Sequence, residues 1–566
     1  MRSNMKKVRR ILLTLGFLCI IFVCGTTFYI IGEKQKQEQN KIEQEAKEAK
    51  NLGRIVSIDG KVKKFPKVEE TPYVTSGISL MYPLSRLQED FNCGVSEYTN
   101  GKIRIEKGKH VIIMWEDCNQ MLVDYSMIYL RDNVVKKNGI TFVPMDQIAE
   151  ALDYSVFWDE KKEEISFYHL VADELPKRYD YRLHWRDTKV KDQGNLGTCW
   201  AFASLSAIET SLMPKEKLEF SVDHMSLNSG FPLGQNEGGE YNMAVAYLSS
   251  WKGPVLEEDD PYNDGKTNKE AKAYKHLQEA RIIKEKDYKG IKEAIIKYGG
   301  VQSSMYTSLK NSYSYSRYYN KEKAAYYFYG DAKSNHDIVI VGWDDDYPKE
   351  NFNREPQDDG AFICKNSWGS EFGIGGYFYV SYFDSNIGKT NVVYSKVEEK
   401  DNYDFIYQSD LLGWIGQLGY KREKAYFANV YESKGKETLK AVSFYATGED
   451  TQYEVYVVRD FRDTQSFKQR ELVAVGEMKE AGYYTIELEG DISFKKKEKF
   501  AIMVKITTPN VDYPIAVEYN SGYRTRSFDI SDGEGYISLY GNQWTSVEKN
   551  QGCNLCLKAF TNKSEK

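Results

Sequence analysis

The sequence has 566 residues, of which 28% are charged and 41% are hydrophobic. At about 150 residues per domain this is a globular protein of roughly three or four domains, and the composition excludes a disordered, fibrous or polytopic membrane protein. The formal net charge is -6 and no long basic run follows the first ten residues, so we expect no nucleic-acid partner. Eight cysteines are too few for a disulfide scaffold.

The N-terminal segment predicts where the protein is located. Residues 1–10 form a basic segment, and an uncharged run follows from Ile11 to Gly32. As a helix rising about 1.5 Å per residue, these 22 residues would extend roughly 33 Å, enough to cross a hydrocarbon core of about 30 Å. Because basic flanks stay cytoplasmic, we expect a single-pass anchor in the cell membrane, with the bulk of the protein extracellular. The alternative is a cleaved signal peptide and a secreted protein, although no small-residue cleavage site closes the run.

Two segments of different composition follow this run. Residues 33–53 are dense in lysine, glutamate and glutamine and predict a solvated stalk, because a helix without an apolar face cannot bury itself. Residues 54–170 contain a weak repeat, in which an apolar strand leads to Pro83 or to Pro144 and a helical pattern follows. Each proline is expected at the first position of its helix. Two alternating runs after the second copy predict a hairpin, so the segment is interpreted as a small α/β module.

The second copy of this repeat resembles the copper amine oxidase N-terminal-like modules of bacterial surface proteins. The resemblance implies a module for surface display or binding. It implies no copper in this protein, because His110 and His169 are isolated and lack the spacing of metal ligands. We therefore predict neither a metal site nor a cofactor.

A candidate nucleophile lies in the segment from residue 171 to residue 390. A polar, glycine-containing loop leads into Cys199, and a small, apolar helical pattern follows it. A thiol at a helix N-terminus lies at the positive end of the helix dipole, which favours the thiolate. A lone cysteine is more often a small hydrophobic core residue. Here the catalytic interpretation is favoured because matching partners occur further along the sequence.

The candidate base is one of only six histidines. His184 and His224 lie in polar stretches, and His276 lies among lysines in a helical pattern. His336 stands at the edge of a buried β run, which is a rigid platform for a base. Asn366 follows later in the sequence, and its amide is suited to hold an imidazole, with a nearby tryptophan to shield that bond from water.

Together these segments resemble the papain-like cysteine peptidases. Gln193 stands six residues before Cys199, which is the family's spacing between the oxyanion-hole glutamine and the nucleophile. Asn366-Ser367-Trp368-Gly369 matches the family's asparagine segment, and Gly238-Gly239 resembles the stretch whose backbone pairs with substrate. The resemblance implies an α+β peptidase domain over residues 171–390, with a helical lobe and a β-barrel lobe.

The resemblance also implies an extracellular endopeptidase acting on proteins or peptides. Cys199 would attack the peptide carbonyl, His336 would act as its base, and Asn366 would hold the imidazole. Gln193 would stabilise the oxyanion, while Gly238 and Gly239 would bind substrate. The alternatives are an inactive surface adhesin or scaffold derived from a peptidase, and a wall amidase or transpeptidase that uses cysteine and histidine. Retention of every site residue argues against the first, and the asparagine segment argues against the second.

The segment departs from the family pattern at several positions. Leu196 replaces the first cysteine of the nucleophile signature, which removes the usual nearby disulfide. Asp337 follows the histidine where a small residue is common, and it either tunes the imidazolium or points to solvent. The acidic stretch 344–360 predicts a surface loop between two strands. The family's helical inhibitory propeptide motif is not visible.

Residues 403–566 differ in kind, with short strands separated by polar turns. This pattern predicts an antiparallel β-sandwich. The run 408–414, with Ala428-Asn429-Val430-Tyr431, resembles the lectin-like domain that follows peptidase domains in clostridial surface proteins. That resemblance makes cell-wall glycan a candidate partner. Cys553 and Cys556 form one CxxC without a second pair, which favours two strand cysteines over a zinc site.

Overall fold

The computed structural model describes residues 55–564, apart from 66–67, 76–78, 109, 124–125, 153, 160–163, 170–174, 185, 214 and 532–533. The predicted basic segment, membrane anchor and stalk therefore lie outside the described residues. Within the described ranges, no helix is both long enough and apolar enough to cross a membrane. The protein divides into two compact units, one up to residue 173 and one from residue 174 onward.

The first unit is a small α/β module. Its helices are α1 (Leu84–Phe91) and α2 (Met145–Ile148). Its strands are β1 (Ile55–Ile58), β2 (Lys61–Val62), β3 (Tyr73–Val74), β4 (Leu80–Pro83), β5 (Gly94–Glu97), β6 (Lys102–Lys107), β7 (His110–Trp115), β8 (Gln120–Val123), β9 (Ser126–Tyr129), β10 (Val135–Lys137), β11 (Ile140–Pro144), β12 (Tyr154–Asp159) and β13 (Glu164–His169). They form the sheets β12-β13-β1-β2, β10-β11-β4-β3 and β5-β6-β7-β8-β9.

The structure contains both copies of the strand–helix repeat. Strand β4 leads directly into α1, β11 leads directly into α2, and the two strands pair antiparallel with Tyr82 opposite Val143. The predicted hairpin is β12 and β13. The position expected for the prolines is wrong by one residue. Pro83 and Pro144 end their strands and precede the first helical residue, because the fixed φ of proline is also compatible with extended backbone.

The second unit begins with helices and strands that surround the candidate site. The helices are α3 (Cys199–Leu212), α4 (Val222–Asn228), α5 (Tyr241–Ser249) and α6 (Tyr288–Tyr298). The strands are β14 (Arg178–Asp180), β15 (Lys275–Ile282), β16 (Val301–Met305), β17 (Tyr319–Asn320), β18 (Ala325–Tyr326), β19 (His336–Asp344), β20 (Ala361–Lys365), β21 (Tyr377–Ser381) and β22 (Asn391–Glu399). The predicted surface loop lies between β19 and β20.

Helix α3 is the buried centre of this region. Every residue from Trp200 to Thr210 except Ser206 is buried, as expected for a helix that is apolar on nearly all sides. It packs against β19, which lies between β16 and β20 in the sheet. The first residue of α3 and the first residue of β19 are Cys199 and His336, so both lie at ends of rigid elements.

The rest of the second unit is the predicted β-sandwich. Its strands are β23 (Phe405–Tyr407), β24 (Gly416–Leu418), β25 (Lys424–Glu432), β26 (Glu437–Ala446), β27 (Thr451–Val458), β28 (Glu471–Met478), β29 (Ala481–Phe494), β30 (Lys499–Thr507), β31 (Ile515–Tyr519), β32 (Gly535–Ser538), β33 (Thr545–Ser546), β34 (Cys553–Leu555) and β35 (Leu557–Lys563), with helix α7 (Val547–Gln551). One layer has the order β28-β27-β30-β25-β32-β33, and the other contains β29-β26-β35-β23. A shared core, which includes Val442, Phe444, Val455 and Val504, fills the space between them.

A single sheet joins the two parts of the second unit. Strand β15 pairs with β22 on one side and with β29 on the other, with Glu279 opposite Tyr484 and Ile282 opposite Ala481. The helical pattern expected around His276 is therefore wrong, since His276 lies in β15. Strand pairing on both flanks overrides the local preference of the lysine-rich segment.

Candidate active site

The Cys199 thiol lies at the start of α3, beside the residue that follows His336. The backbone N–H groups of Trp200 and Asp337 are placed to hydrogen-bond its sulfur, which lowers the thiol pKa. Burial outweighs them and, with the nearby Asp337 carboxylate, raises the pKa of Cys199 to about 12. On its own, the thiol at this position therefore keeps its proton.

His336 is held by Asn366 across two adjacent antiparallel strands. The Asn366 side-chain oxygen accepts the backbone N–H of Ser367 at 2.8 Å and lies 2.8 Å from His336 Nε2. An accepting oxygen requires His336 to donate from Nε2, which leaves Nδ1 of the neutral ring as the proton acceptor. The Trp368 ring stacks on the imidazole with centroids 4.7 Å apart. Burial lowers the pKa of His336 to about 4, although the bond to Asn366 opposes that shift.

Gln193 is fixed by the asparagine segment. Ser367 Oγ donates to Gln193 Oε1 at 2.7 Å, and the Gln193 backbone N–H donates to the Ser367 carbonyl at 2.8 Å. Gln193 Nε2 donates to the Leu196 carbonyl at 2.7 Å, so one of its two N–H bonds is used within the loop and the second remains. The sequence did not predict that Ser367 positions Gln193, although Ser367 belongs to the Asn366-Ser367-Trp368-Gly369 motif.

Gly238 and Gly239 lie beside the candidate nucleophile. A Cβ at Gly239 would come within 2.5 Å of the Trp200 ring, and a Cβ at Gly197 would lie 3.0 Å from the Gly238 nitrogen. Gly238 also has a φ of +73°, which favours glycine. The glycine stretch thus packs closely against the loop and helix that carry Cys199.

Asp337 points into a partly buried hydrogen-bond network, so the alternative that it points to solvent is wrong, and its charge acts on the Cys199 thiol. Its carboxylate accepts hydrogen bonds from Ser304 Oγ at 2.6 Å and from Gln302 Nε2 at 3.0 Å. The Gln302 oxygen in turn accepts from Ser204 at 2.9 Å and from Tyr394 at 2.8 Å. Burial raises the pKa of Asp337 to about 6, while the bonds from Ser304 and Gln302 lower it. The one sign of this network in the sequence was Asp337 itself, an acidic residue at a position where a small residue is common.

Two other histidines of the second unit, His224 and His276, have contacts away from the candidate site. Buried His224 lies in α4 with Nδ1 2.6 Å from the Tyr247 hydroxyl, and His276 stacks on Trp251 with centroids 4.0 Å apart. His184 ends a short 3-10 helix. Among the residues that the structure describes, no group of three or more His, Cys, Asp or Glu side chains is arranged to hold a metal ion. The buried cysteines Cys553 and Cys556 are free thiols.

Three family models match successive parts of the sequence. Residues 57–167 match the copper amine oxidase N-terminal domain, residues 175–397 match the papain family cysteine protease, and residues 406–561 match the lectin like domain. Each match falls on a segment for which the sequence predicted that family.

Solved structures and curated proteins agree with these matches. The clostridial cysteine protease Cwp84 after propeptide cleavage is 29% identical, with a TM-score of 0.61 over 68% of this protein and 99% of that structure. A structure of the cysteine protease and lectin-like domains of Cwp84, a surface layer associated protein of Clostridium difficile, is 27% identical, with a TM-score of 0.60 over 69% of this protein and 90% of that structure. A cysteine protease of Blomia tropicalis is 26% identical over 39% of this protein and 65% of its own length. Cathepsin L1 of Drosophila melanogaster is 27% identical over 42% of this protein and 61% of its own length.

The protein thus spans less than two thirds of the length of these two curated relatives. The predicted fold class is confirmed, because the likeness to Cwp84 extends through the peptidase and lectin-like parts. The protein contains a papain family cysteine protease domain, preceded by a copper amine oxidase N-terminal domain and followed by a lectin-like domain.

Proposed function

We propose that the protein is a cysteine endopeptidase that hydrolyses peptide bonds of proteins, with Cys199 as nucleophile and His336 as base. The observation that carries this proposal is the hydrogen bond from His336 Nε2 to Asn366, made while the backbone N–H of Asp337 lies close enough to the Cys199 sulfur to lower the thiol pKa. Nucleophile and base are thereby neighbours at the ends of two rigid elements. The papain family match over residues 175–397 supports the same reaction.

The reactive form is an ion pair that neither residue forms alone. Burial disfavours both a lone thiolate at Cys199 and a lone imidazolium at His336. When the thiol proton passes to His336 Nδ1, each new charge offsets part of the burial cost of the other. The N–H groups near the sulfur and the N-terminus of α3 stabilise the thiolate further.

Acylation then follows from these positions. The thiolate attacks the substrate carbonyl, and the backbone N–H of Cys199 with the remaining side-chain N–H of Gln193 stabilises the oxyanion. The His336 imidazolium gives its proton to the leaving amine as the C–N bond breaks. In the second half, His336 Nδ1 takes a proton from water, which attacks the thioester and releases the acid and the Cys199 thiol. The backbone of Gly238 and Gly239 pairs with the extended substrate.

We further propose that this peptidase acts at the cell surface. The basic segment 1–10 and the uncharged run 11–32 support a single-pass membrane anchor with an extracellular catalytic domain. The lectin-like domain supports binding to cell-wall glycan. A secreted protein remains the alternative if the run is cleaved as a signal peptide.

Labelling by an epoxide inhibitor of papain-like enzymes tests the catalytic assignment. Wild-type protein should be labelled once, and Cys199→Ala should not be labelled. Cys364→Ala is the matched control, because Cys364 is a fully buried thiol in β20 and should leave labelling unchanged. An unlabelled wild-type protein that binds cell walls would instead identify an inactive adhesin or scaffold.

A further inference from the structure

A loop of residues 307–318, between β16 and β17, exposes two tyrosines to an unusual degree. Tyr313 is 81% exposed and Tyr315 is 85% exposed, the highest values among the described large hydrophobic side chains. Tyrosine normally buries much of its ring and leaves the hydroxyl in water. Two neighbouring exposed rings on one loop are typical of a surface that contacts another molecule.

The loop holds these rings outward by its own hydrogen bonds. Ser314 Oγ accepts from the backbone N–H groups of Lys310 at 2.8 Å and Asn311 at 3.1 Å, and the hydroxyls of Ser308 and Ser316 lie 2.7 Å apart. Within the same loop, Leu309 is buried and anchors the segment. The exposure of the tyrosines is therefore built into a compact turn.

The same loop is fastened to the candidate site at two points. At its base, the Asn335 side chain accepts the Thr307 N–H at 2.8 Å and donates to the Thr307 carbonyl at 2.9 Å. At its tip, Ser312 Oγ donates to the Trp368 carbonyl at 2.9 Å. Asn335 immediately precedes His336 in the sequence, and Trp368 stacks on His336. The loop is thus attached on the histidine side of the site.

The proposed mechanism indicates which half of the substrate lies on the histidine side of the site. His336 gives its proton to the leaving amine, so the part of the substrate that follows the cleaved bond departs past His336 and Trp368. The glycine stretch lies instead against Trp200, beside the thiol that keeps the acyl half. This reasoning rests on the proposed function.

We propose that Tyr313 and Tyr315 bind the leaving-group side of an extended polypeptide substrate. Their rings supply rigid aromatic surface, which favours apolar and aromatic side chains in the residues after the cleaved bond. The exposed cations of Lys310 and Arg317, on the same loop, favour a substrate that has acidic residues there as well. The loop is therefore a specificity surface of the peptidase and leaves the chemistry to Cys199 and His336.

Two substrates that share the same acyl half test this proposal. One ends in a small chromophoric amide directly after the cleaved bond, and the other continues for about six residues that include aromatic and acidic side chains. In the double variant Tyr313→Ala/Tyr315→Ala, kcat/KM should fall about tenfold for the extended substrate. For the chromophoric amide it should stay within about twofold of wild type, because that substrate does not reach the loop.

The matched control is the double variant Tyr513→Ala/Tyr540→Ala, which removes two exposed tyrosines from the lectin-like part and should change neither rate. Equal losses on both substrates, or no loss on either, would overturn the assignment of the loop while leaving the peptidase intact. Failure of the wild-type protein to cleave either substrate would overturn the proposed function, and this inference with it.

Discussion

Two buried polar clusters of the second unit differ in how their charges are balanced. Beside the sandwich core, Lys558 Nζ lies 2.8 Å from Asp410 Oδ1 with both side chains almost fully buried, so each charge has its partner at rest. At the candidate active site, burial raises the pKa of Cys199 and lowers the pKa of His336, so it favours the neutral form of each group. Burial shifts pKa values in the structural pair as well. It raises the pKa of Asp410, although the positive charge of Lys558 lowers that pKa. A shifted pKa alone therefore does not distinguish the candidate active site of this protein from its structural ion pair.

The largest expected effect is the fall in kcat when the nucleophile of the candidate active site is removed. Cys199→Ala should lower kcat for peptide hydrolysis by at least about 10⁴-fold, because no other group forms the thioester. The free energy of unfolding should change little, since the residue lies at a helix end. Rates on a peptide substrate measure this effect, with Cys364→Ala as the control that keeps full activity. Full activity in Cys199→Ala would contradict the assignment.

Breaking the ion pair of Lys558 and Asp410 should lower the stability of the protein and leave its activity unchanged. Lys558→Met leaves the Asp410 carboxylate buried without its cation, so the free energy of unfolding should fall by about 4 kcal/mol. For the folded protein, kcat on a short amide should remain within about twofold of wild type. Urea unfolding and steady-state kinetics on the same preparation measure both quantities.

A double substitution checks that the pair is the cause. Adding Asp410→Leu to Lys558→Met removes the orphaned charge and should recover most of the lost stability. If the double variant is less stable than the single one, Asp410 has a further role and the comparison of the two clusters fails.

The oxyanion contact should produce an intermediate effect. Gln193→Ala removes a donor that acts on the tetrahedral intermediate, at a cost of about 3 kcal/mol or roughly a hundredfold in kcat, with little change in KM. Cys199 should still react with a small alkylating agent at nearly the wild-type rate, because Gln193 has no charge. His336→Ala should slow that alkylation. Equal hydrolysis of a peptide ester by wild type and Gln193→Ala would rule out the oxyanion role.

The smallest effect is a pH dependence caused by Asp337. Above a pH of about 6 its carboxylate is charged and raises the pKa of Cys199, whereas below that pH it is protonated and the effect disappears. In Asp337→Asn the charge is absent throughout. The ratio of variant to wild-type alkylation rates should therefore be near one at low pH and rise about threefold above a pH of about 7. Ser304→Ala keeps the carboxylate but removes a bond that lowers the pKa of Asp337, so its ratio should return to near one at a pH well above 7, where the carboxylate is charged in both proteins. A flat ratio for Asp337→Asn would exclude electrostatic control by Asp337.

Local patterns predicted the candidate site better than they predicted its supports. Cys199 and Gln193 were recognisable because a loop leading into a helix has a fixed spacing along the sequence. The bond from Ser367 to Gln193 spans 174 residues, and the bond from Gln302 to Asp337 depends on the pairing register of β16 and β19. Neither leaves a periodic signal in the sequence.

The same limit explains the error at His276. A lysine-rich segment has a helical pattern when it is considered alone. Its conformation is decided by β22 and β29, and β29 lies about 200 residues further along the sequence. The sandwich strands were predictable from local sequence, because the longer ones are runs rich in β-branched and aromatic residues that polar turns separate.

The pairing of β15 with β29 also determines what the peptidase sheet would do without its C-terminal neighbour. Residues 279–282 would present unpaired N–H and C=O groups to solvent, and such an edge is a template to which another polypeptide can add. Strands β15 and β29 approach closely at Gly482, where an added Cβ would lie 2.2 Å from the Ala280 carbonyl oxygen, so only glycine fits there. The lectin-like part therefore covers this edge of the peptidase sheet with its own strand β29, and no row of unpaired backbone groups is left along residues 279–282.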